Sequence, residues 1–286
     1  MRLRDAITAG RYHARVATLV ITSPLAGDGK STLAAGLADA FARRGYGVDA
    51  LTIIEHHDPA TAAAKGDAVL LVAHGGNADD VTLERAAREC SAAAIVFTSV
   101  LNGQAMAARD RVAAISARLD VTLLLVGAVP QDRLLAAPSL AQMAAALDGS
   151  LEAVDDAAAD AVEWIEIGPI TAHPGSVHFA TDGSKAIVAR GDRPDVALTA
   201  LEVDAQCLIL AGGGEPLRYV LERAEVDEVP LIATALTTAE AVERLGSLYG
   251  HGSFSGPRKR ERAALLVENH LDMEALEQLL QLGRPA

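Results

Sequence analysis

The chain has 286 residues, half of them hydrophobic and only 3% aromatic, so it can fill one large domain or two ordinary ones with cores of Ala, Leu, Val and Ile. A formal net charge of −13 excludes a general affinity for nucleic acid or anionic membrane, and the longest strongly apolar runs, such as residues 121–129, are too short to span a bilayer. The two cysteines, Cys90 and Cys207, lie beside apolar runs and read as buried reduced thiols. Arg2, Arg4, Arg11 and Arg15 open the chain without the apolar stretch of a secretory signal, so a cytoplasmic protein is expected, with no nucleic-acid or membrane partner.

In chain order, residues 16–22 form a short β-branched run that predicts a buried strand. Leu33, Leu37 and Phe41 recur at four-residue spacing and predict a helix over 30–44, stopped by Gly45. Strands are expected at 48–54, 68–73, 93–98 and 121–128, and helices at 79–90, 104–119 and 138–147. This alternation predicts an α/β fold with a mostly parallel sheet covered on both faces. An acidic, Ala-rich stretch over 148–163 marks a boundary, giving expected domains of 1–150 and 151–286. In the second, strands are expected at 164–167, 185–189, 207–210 and 231–235. Helices begin near Pro194, Pro216 and Thr238, two of them with proline at the first helical position, and final helices cover 257–268 and 272–280.

The first predicted strand runs into "TSPLAGDGKST", residues 22–32. Gly29, Lys30 and Ser31 hold the places of G-x-x-x-x-G-K-[ST], while the first glycine position is Pro24. Glycines let backbone N–H groups close around phosphate oxygens, and a helix starting at Lys30 directs its free N–H groups there too. Gly27, Asp28, Gly29, Lys30, Ser31 and Thr32 are therefore the candidate residues for ATP or ADP. Lys30 would reach the β- and γ-phosphates, and the Ser31 hydroxyl would ligate Mg2+.

This stretch resembles the P-loop ATPases of the dethiobiotin synthetase-like, ParA/MinD-like and bacterial tyrosine-kinase branch. The chain lacks the tyrosine-rich tail of those kinases, and Leu25 stands where the ParA/MinD-like loop carries an extra lysine. The third strand, "GDAVLLVAHGGNADD", is similar to the dethiobiotin synthetase-like "D-x-V-L-V-E-G-x-G-G" at Asp67, Gly75 and Gly76, with Val72 at the glutamate position. Glu55 and Asp58 are the acids that could replace it near Mg2+. His74 reads either as a contact to phosphate or as a histidine bonded to backbone.

"VARGDRPDVALTALEVDAQCLILAGGGEP", residues 188–216, resembles the DRTGG domain: Asp192 and Arg193 match its first motif, and Ala211, Gly212 and Gly213 its second, with Ala in place of Thr. A dethiobiotin synthetase-like domain joined to a DRTGG domain forms the N-terminal half of BioD-like phosphotransacetylases, and the resemblance runs from Ala17 through nearly the whole chain. It implies a P-loop NTPase-like domain followed by a smaller α/β DRTGG domain, nucleotide-dependent regulation, a homodimer, and an acetate-metabolism or other enzyme as partner. Both motifs follow predicted strands, so Gly191, Asp192, Arg193, Ala211, Gly212 and Gly213 should share one sheet edge as a second ligand site. Structural turns with a buried Asp192–Arg193 pair are the alternative. The basic run "GPRKRER", 256–262, reads as a solvated face. A nucleotide-binding regulatory protein, an ATP-dependent ligase or ATPase with a rearranged acid, and a ligand-free structural module are the competing functions.

Overall fold

The computed structural model describes residues 16–283, apart from 49, 76–78, 102–103, 153–154, 169–182 and 204. Gly76 and the basic N-terminal residues lie outside the described residues. The chain divides into two compact units, Met1–Gln131 with Ala263–Ala286, and Asp132–Arg262. Residues 132–150, expected in the first domain, thus belong to the second unit, and the C-terminal segment from 263 belongs to the first.

In the first unit, β1 (Ala17–Thr22), β2 (Leu51–Glu55), β3 (Ala68–His74), β4 (Ala94–Val100) and β5 (Leu124–Pro130) form one parallel sheet in the order β2-β1-β3-β4-β5. Alternation along the strands sorts the side chains by face. Val20, Val69, Leu71, Ile95 and Phe97 pack with Leu83 and Ala86 of α3 (Asp80–Glu89) and with Val112 and Ile115 of α4 (Ala105–Leu119). Phe41 and Leu37 of α1 (Lys30–Arg43) are buried, and the Phe41 ring meets Tyr46 edge-on at 5.8 Å. A Cβ on Gly36 of α1 would lie 2.9 Å from the Ala263 carbonyl, and one on Gly127 of β5 would lie 2.1 Å from the His270 carbonyl. At both places the C-terminal segment lies close against this unit, and the Arg44–Glu277 ion pair adds to its attachment. The second strand starts at Leu51 rather than at 48, where Val48 is exposed, and the fifth starts at Leu124, because Asp120 ends α4 in a left-handed conformation. A short helix, α2 (Pro59–Ala62), fills the segment between β2 and β3.

The second unit also holds five strands, β6 (Ser150–Glu152), β7 (Trp164–Ile167), β8 (Lys185–Arg190), β9 (Cys207–Ala211) and β10 (Leu231–Ala233), in the order β6-β10-β9-β8-β7. β6 is antiparallel to β10, and its position inside the acidic stretch makes that stretch an edge strand as well as a connection. Ile187, Ala189, Leu208 and Leu210 face α7 (Pro194–Leu201) and α8 (Arg218–Val226). Val188, Cys207 and Ile209 face α6 (Leu140–Ala146) and α9 (Thr238–Gly246) across the sheet. Pro194 heads α7 as expected, whereas Pro216 precedes the N-cap Leu217 of α8, which begins only at Arg218.

The basic run is solvated at residues 260–262, as expected, but not at Lys259. It opens α10 (Pro257–His270), and Lys259 is only 1% exposed, its ammonium donating to the carbonyls of Leu135, Ala137 and Ser253 at 3.1, 2.6 and 2.7 Å. Burial pushes this lysine down to about 8. Arg258 and Arg262 pair with Glu163 and Asp132, so acidic neighbours account for cations at a helix start.

Candidate functional site

In an open parallel sheet, ligands sit beyond the carboxyl ends of strands where the strand order reverses. Here that point lies between β1 and β3, and the loop leaving β1 is residues 23–29. Gly27 and Gly29 take φ of 84° and 83°, values that side-chain-bearing residues rarely adopt. A Cβ on Gly27 would meet nothing within 4 Å, so the loop's mouth is open there. Gly29 is the N-cap of α1, no side chain caps that helix, and its first turn carries no acid. No side chain of α1 itself therefore compensates the positive end of its dipole.

Three side-chain contacts shape the loop. Lys30 Nζ donates to Ser23 Oγ at 2.8 Å, and Ser23 Oγ donates to the Leu25 carbonyl at 2.8 Å. Asp28 is turned inward, 1% exposed, with Oδ2 accepting the Leu25 N–H at 3.1 Å. It braces the loop rather than facing its mouth. Burial raises its carboxyl above the usual range, against the opposing pull of the Leu25 N–H, His74 and Lys30. Thr22 Oγ1 and Asp28 Oδ1 are both buried and both lack a hydrogen bond of normal geometry.

Ser31 Oγ donates to Glu55 Oε2 at 2.6 Å. Parallel pairing of Ile21 with Glu55 brings the end of β2 beside the loop, and this places a carboxylate next to the hydroxyl expected to hold Mg2+. Asp58 is otherwise engaged: it caps α2, accepting from the Ala60 N–H and the Thr61 hydroxyl. Val72 is fully buried, so the third strand offers no acid at that position, and Asp67 accepts the Thr18 N–H at 2.8 Å. His74, half-buried, ends β3 opposite Thr98. Thr98 itself was missed in the sequence: its hydroxyl donates to the Asp28 carbonyl at 2.7 Å. No local pattern marks a contact made across 70 positions of the chain.

The residues expected at the second edge do meet. Arg190 pairs with Ala211 in register, and the Gly191 N–H donates to the Ala211 carbonyl at 2.8 Å. Gly212, Gly213 and Gly214 all have positive φ, and the first two donate their N–H groups to the carbonyls of Leu236 and Thr234. Asp192 and Arg193 form no buried pair. Asp192 is exposed and bonded to Arg190, while Arg193 donates to Asp195 at 2.9 and 2.7 Å. Each guanidinium holds its carboxylate below the usual range.

Residues 142–248 match the DRTGG domain. The glycine-bearing edge and its two arginine–aspartate pairs lie within this DRTGG domain. Among solved structures the chain is similar to the CBS and DRTGG domains of the regulatory region of Clostridium perfringens pyrophosphatase, complexed with the activator diadenosine tetraphosphate. The identity there is 13% and the TM-score 0.36, over 64% of this chain and 76% of the other. It is also similar to D-lactate dehydrogenase with NAD+ from Lactobacillus jensenii, at 10% identity and a TM-score of 0.22, over 81% of this chain and 94% of that one. Among the described residues no helix is long and apolar enough to cross a membrane, and no group of three or more His, Cys, Asp or Glu is arranged to hold a metal.

Proposed function

We propose that this chain is a nucleotide-binding regulatory or interaction protein, in which a reduced dethiobiotin synthetase-like P-loop domain binds ATP or ADP beside a DRTGG domain. The observation that carries this reading is the loop at the end of β1. It combines two left-handed glycines, open space at Gly27, a helix start with no side-chain cap, and Lys30 bonded to Ser23 of the same loop. The residues present fit the ligand. Gly27, Gly29, Lys30, Ser31 and Thr32 would hold its phosphates, with Asp28 keeping the loop in shape from behind. Ser31 and Glu55 would hold Mg2+, which supplies charge neutralisation on the phosphates.

The DRTGG domain is the proposed seat of a second ligand, a nucleotide or other anion, and of homodimer contacts. An enzyme of acetate metabolism is the proposed partner class, from the resemblance to BioD-like phosphotransacetylases. A second reading, an ATP-dependent ligase or ATPase, is favoured by one contact: Glu55 stands hydrogen-bonded to Ser31, where a metal-bound acid would serve. Val72 argues for the first reading, since hydrolysis in this branch depends on an acid at the end of the third strand.

Calorimetric titration of the full chain with ATP, ADP and AMP, with and without Mg2+, beside a phosphate-release assay, tests both. Magnesium-dependent binding with negligible release supports the regulatory reading. Rapid release supports the enzyme, and absence of binding by any of the three nucleotides would sink both.

A further inference from the structure

Among the described residues, the non-glycine positions with positive φ are Ser91, Ser99, Asp120, Asp148, Glu228 and Gln281. All but Ser99 lie just after a helix, where a left-handed residue is an ordinary terminator. Ser99, at φ 52°, is inside β4. The pairing of β4 with β5 shifts register between Phe97 and Val100, so Ser99 belongs to a bulge. Its effect is visible in the packing. Phe97 and Val100 lie three positions apart, which an unbroken strand would put on opposite faces, yet both belong to the same hydrophobic cluster.

Within the bulge, beside Ser99, Thr98 touches two loops at the sheet's carboxyl edge. Its hydroxyl donates to the Asp28 carbonyl, and its own carbonyl accepts the Gly75 N–H at 2.8 Å. The next residue of the loop is equally close: a Cβ on Gly29 would lie 3.5 Å from Thr98 Oγ1. The Asp28 carbonyl belongs to the Asp28–Gly29 peptide unit, whose N–H is that of Gly29. Fixing the oxygen therefore fixes the direction of an amide in the phosphate loop. Strained backbone persists where the surroundings over-determine it, and it gathers at sites with a geometric task.

We infer that Thr98 is a positioning residue for the phosphate loop, set in place by the left-handed backbone at Ser99, and that it aims the Gly29 amide at the bound phosphate. This rests on the reading of that loop as a nucleotide site. Thr98→Val keeps the shape and removes the donor, whereas Thr98→Ser keeps the donor. In the full chain, Thr98→Val should weaken ATP binding by about fivefold to tenfold, the effect of one net hydrogen bond, while Thr98→Ser stays within about twofold of wild type. Amide hydrogen exchange over residues 22–31, measured without nucleotide, should quicken in Thr98→Val and return to wild type in Thr98→Ser.

The exchange arm decides the role of Thr98 even if wild type binds no ATP, an outcome that would remove the nucleotide reading alone. Unchanged exchange in a folded Thr98→Val protein overturns the inference. So does failure of both Thr98→Val and Thr98→Ala to fold, since Thr98 would then support the whole unit rather than one loop.

Discussion

The two sheets end in edges that look alike in outline and differ in how their charges are committed. Each edge sits beyond the carboxyl ends of parallel strands, and each carries glycines with positive φ. At the first edge the one acid within the loop, Asp28, is buried and faces away from the mouth, Lys30 is bonded to a neutral hydroxyl, Ser23, and Glu55 at the end of β2 accepts from Ser31 rather than from Lys30. At the second edge both arginines are engaged by exposed aspartates two residues along the chain, Arg190 by Asp192 and Arg193 by Asp195. Three of its four glycine N–H groups, those of Gly191, Gly212 and Gly213, are turned to carbonyls of its own fold. An anion at Lys30 displaces no carboxylate, whereas an anion at Arg190 or Arg193 must displace one. The two edges therefore differ in their readiness for an anion.

The largest effect expected from this contrast concerns turnover. With no acid at position 72, phosphate release should run at least about a hundredfold below the enzyme median of about 10 s−1. A rate near that median would show Glu55 acting as the missing acid, and Glu55→Gln should then abolish it. Next in size, Lys30→Ala should weaken ATP or ADP binding by at least about tenfold, or about 1.4 kcal/mol, in calorimetry. Equal affinity of variant and wild type would remove the difference in readiness between the edges.

The second edge can be read alone in the Lys30→Ala background. There, Asp195→Ala should tighten binding of phosphate or ATP by about threefold to tenfold, because it releases Arg193 from a competing carboxylate, and added salt should shrink the gain. Arg193→Ala should remove that binding while the chain stays folded, since Asp195 remains solvated without its partner. If neither change moves affinity, the pairs serve the turn and nothing else.

The smallest effect distinguishes the buried acid from the exposed ones. The folded-state value of Asp28 is raised by burial, so its charged form costs stability, and that cost is fully present above the raised value. As pH falls through the raised value the carboxyl takes up its proton and the cost fades. Asp28→Asn should accordingly raise the thermal midpoint by a few degrees at pH 7, with a smaller gain at acid pH. Asp192→Asn, at an exposed ion pair, should not raise it. A lower midpoint for Asp28→Asn at pH 7 would mean that its charge is needed to hold the loop.

Much of this arrangement is legible in the sequence, because strands and glycine turns are local signals. Val20, Leu71 and Ile95 announce buried strands, and Gly29-Lys30-Ser31 and Gly212-Gly213 announce turns at their ends. The DRTGG domain is readable from Asp192, Arg193 and the Ala211–Gly213 motif for the same reason. What escapes is contact between distant residues. Lys259 reads as one cation in a basic run, and only folding supplies the carbonyls of residues 135, 137 and 253 that enclose it. The Glu55–Ser31 contact is half legible: the acid is visible at the end of a strand, and the pairing of that strand with β1 decides what it meets. Gly36 and Gly127 carry no sign of the chain that will lie against them, which is why the C-terminal helices read as part of the second domain.

That C-terminal chain also bears on how the protein behaves in company. β5 is an outermost strand of its sheet, and such a strand offers a row of backbone donors and acceptors to any other strand that approaches. Residues 271 and 272 pair with Gly127 and Val126 at its middle, and the bare α-carbon of Gly127 lets them lie close. They act as a guard rail against edge-to-edge addition of further copies. A chain cut after Arg262, or one carrying Gly127→Val, would lose that protection, and aggregation rather than loss of ligand binding would be its first symptom.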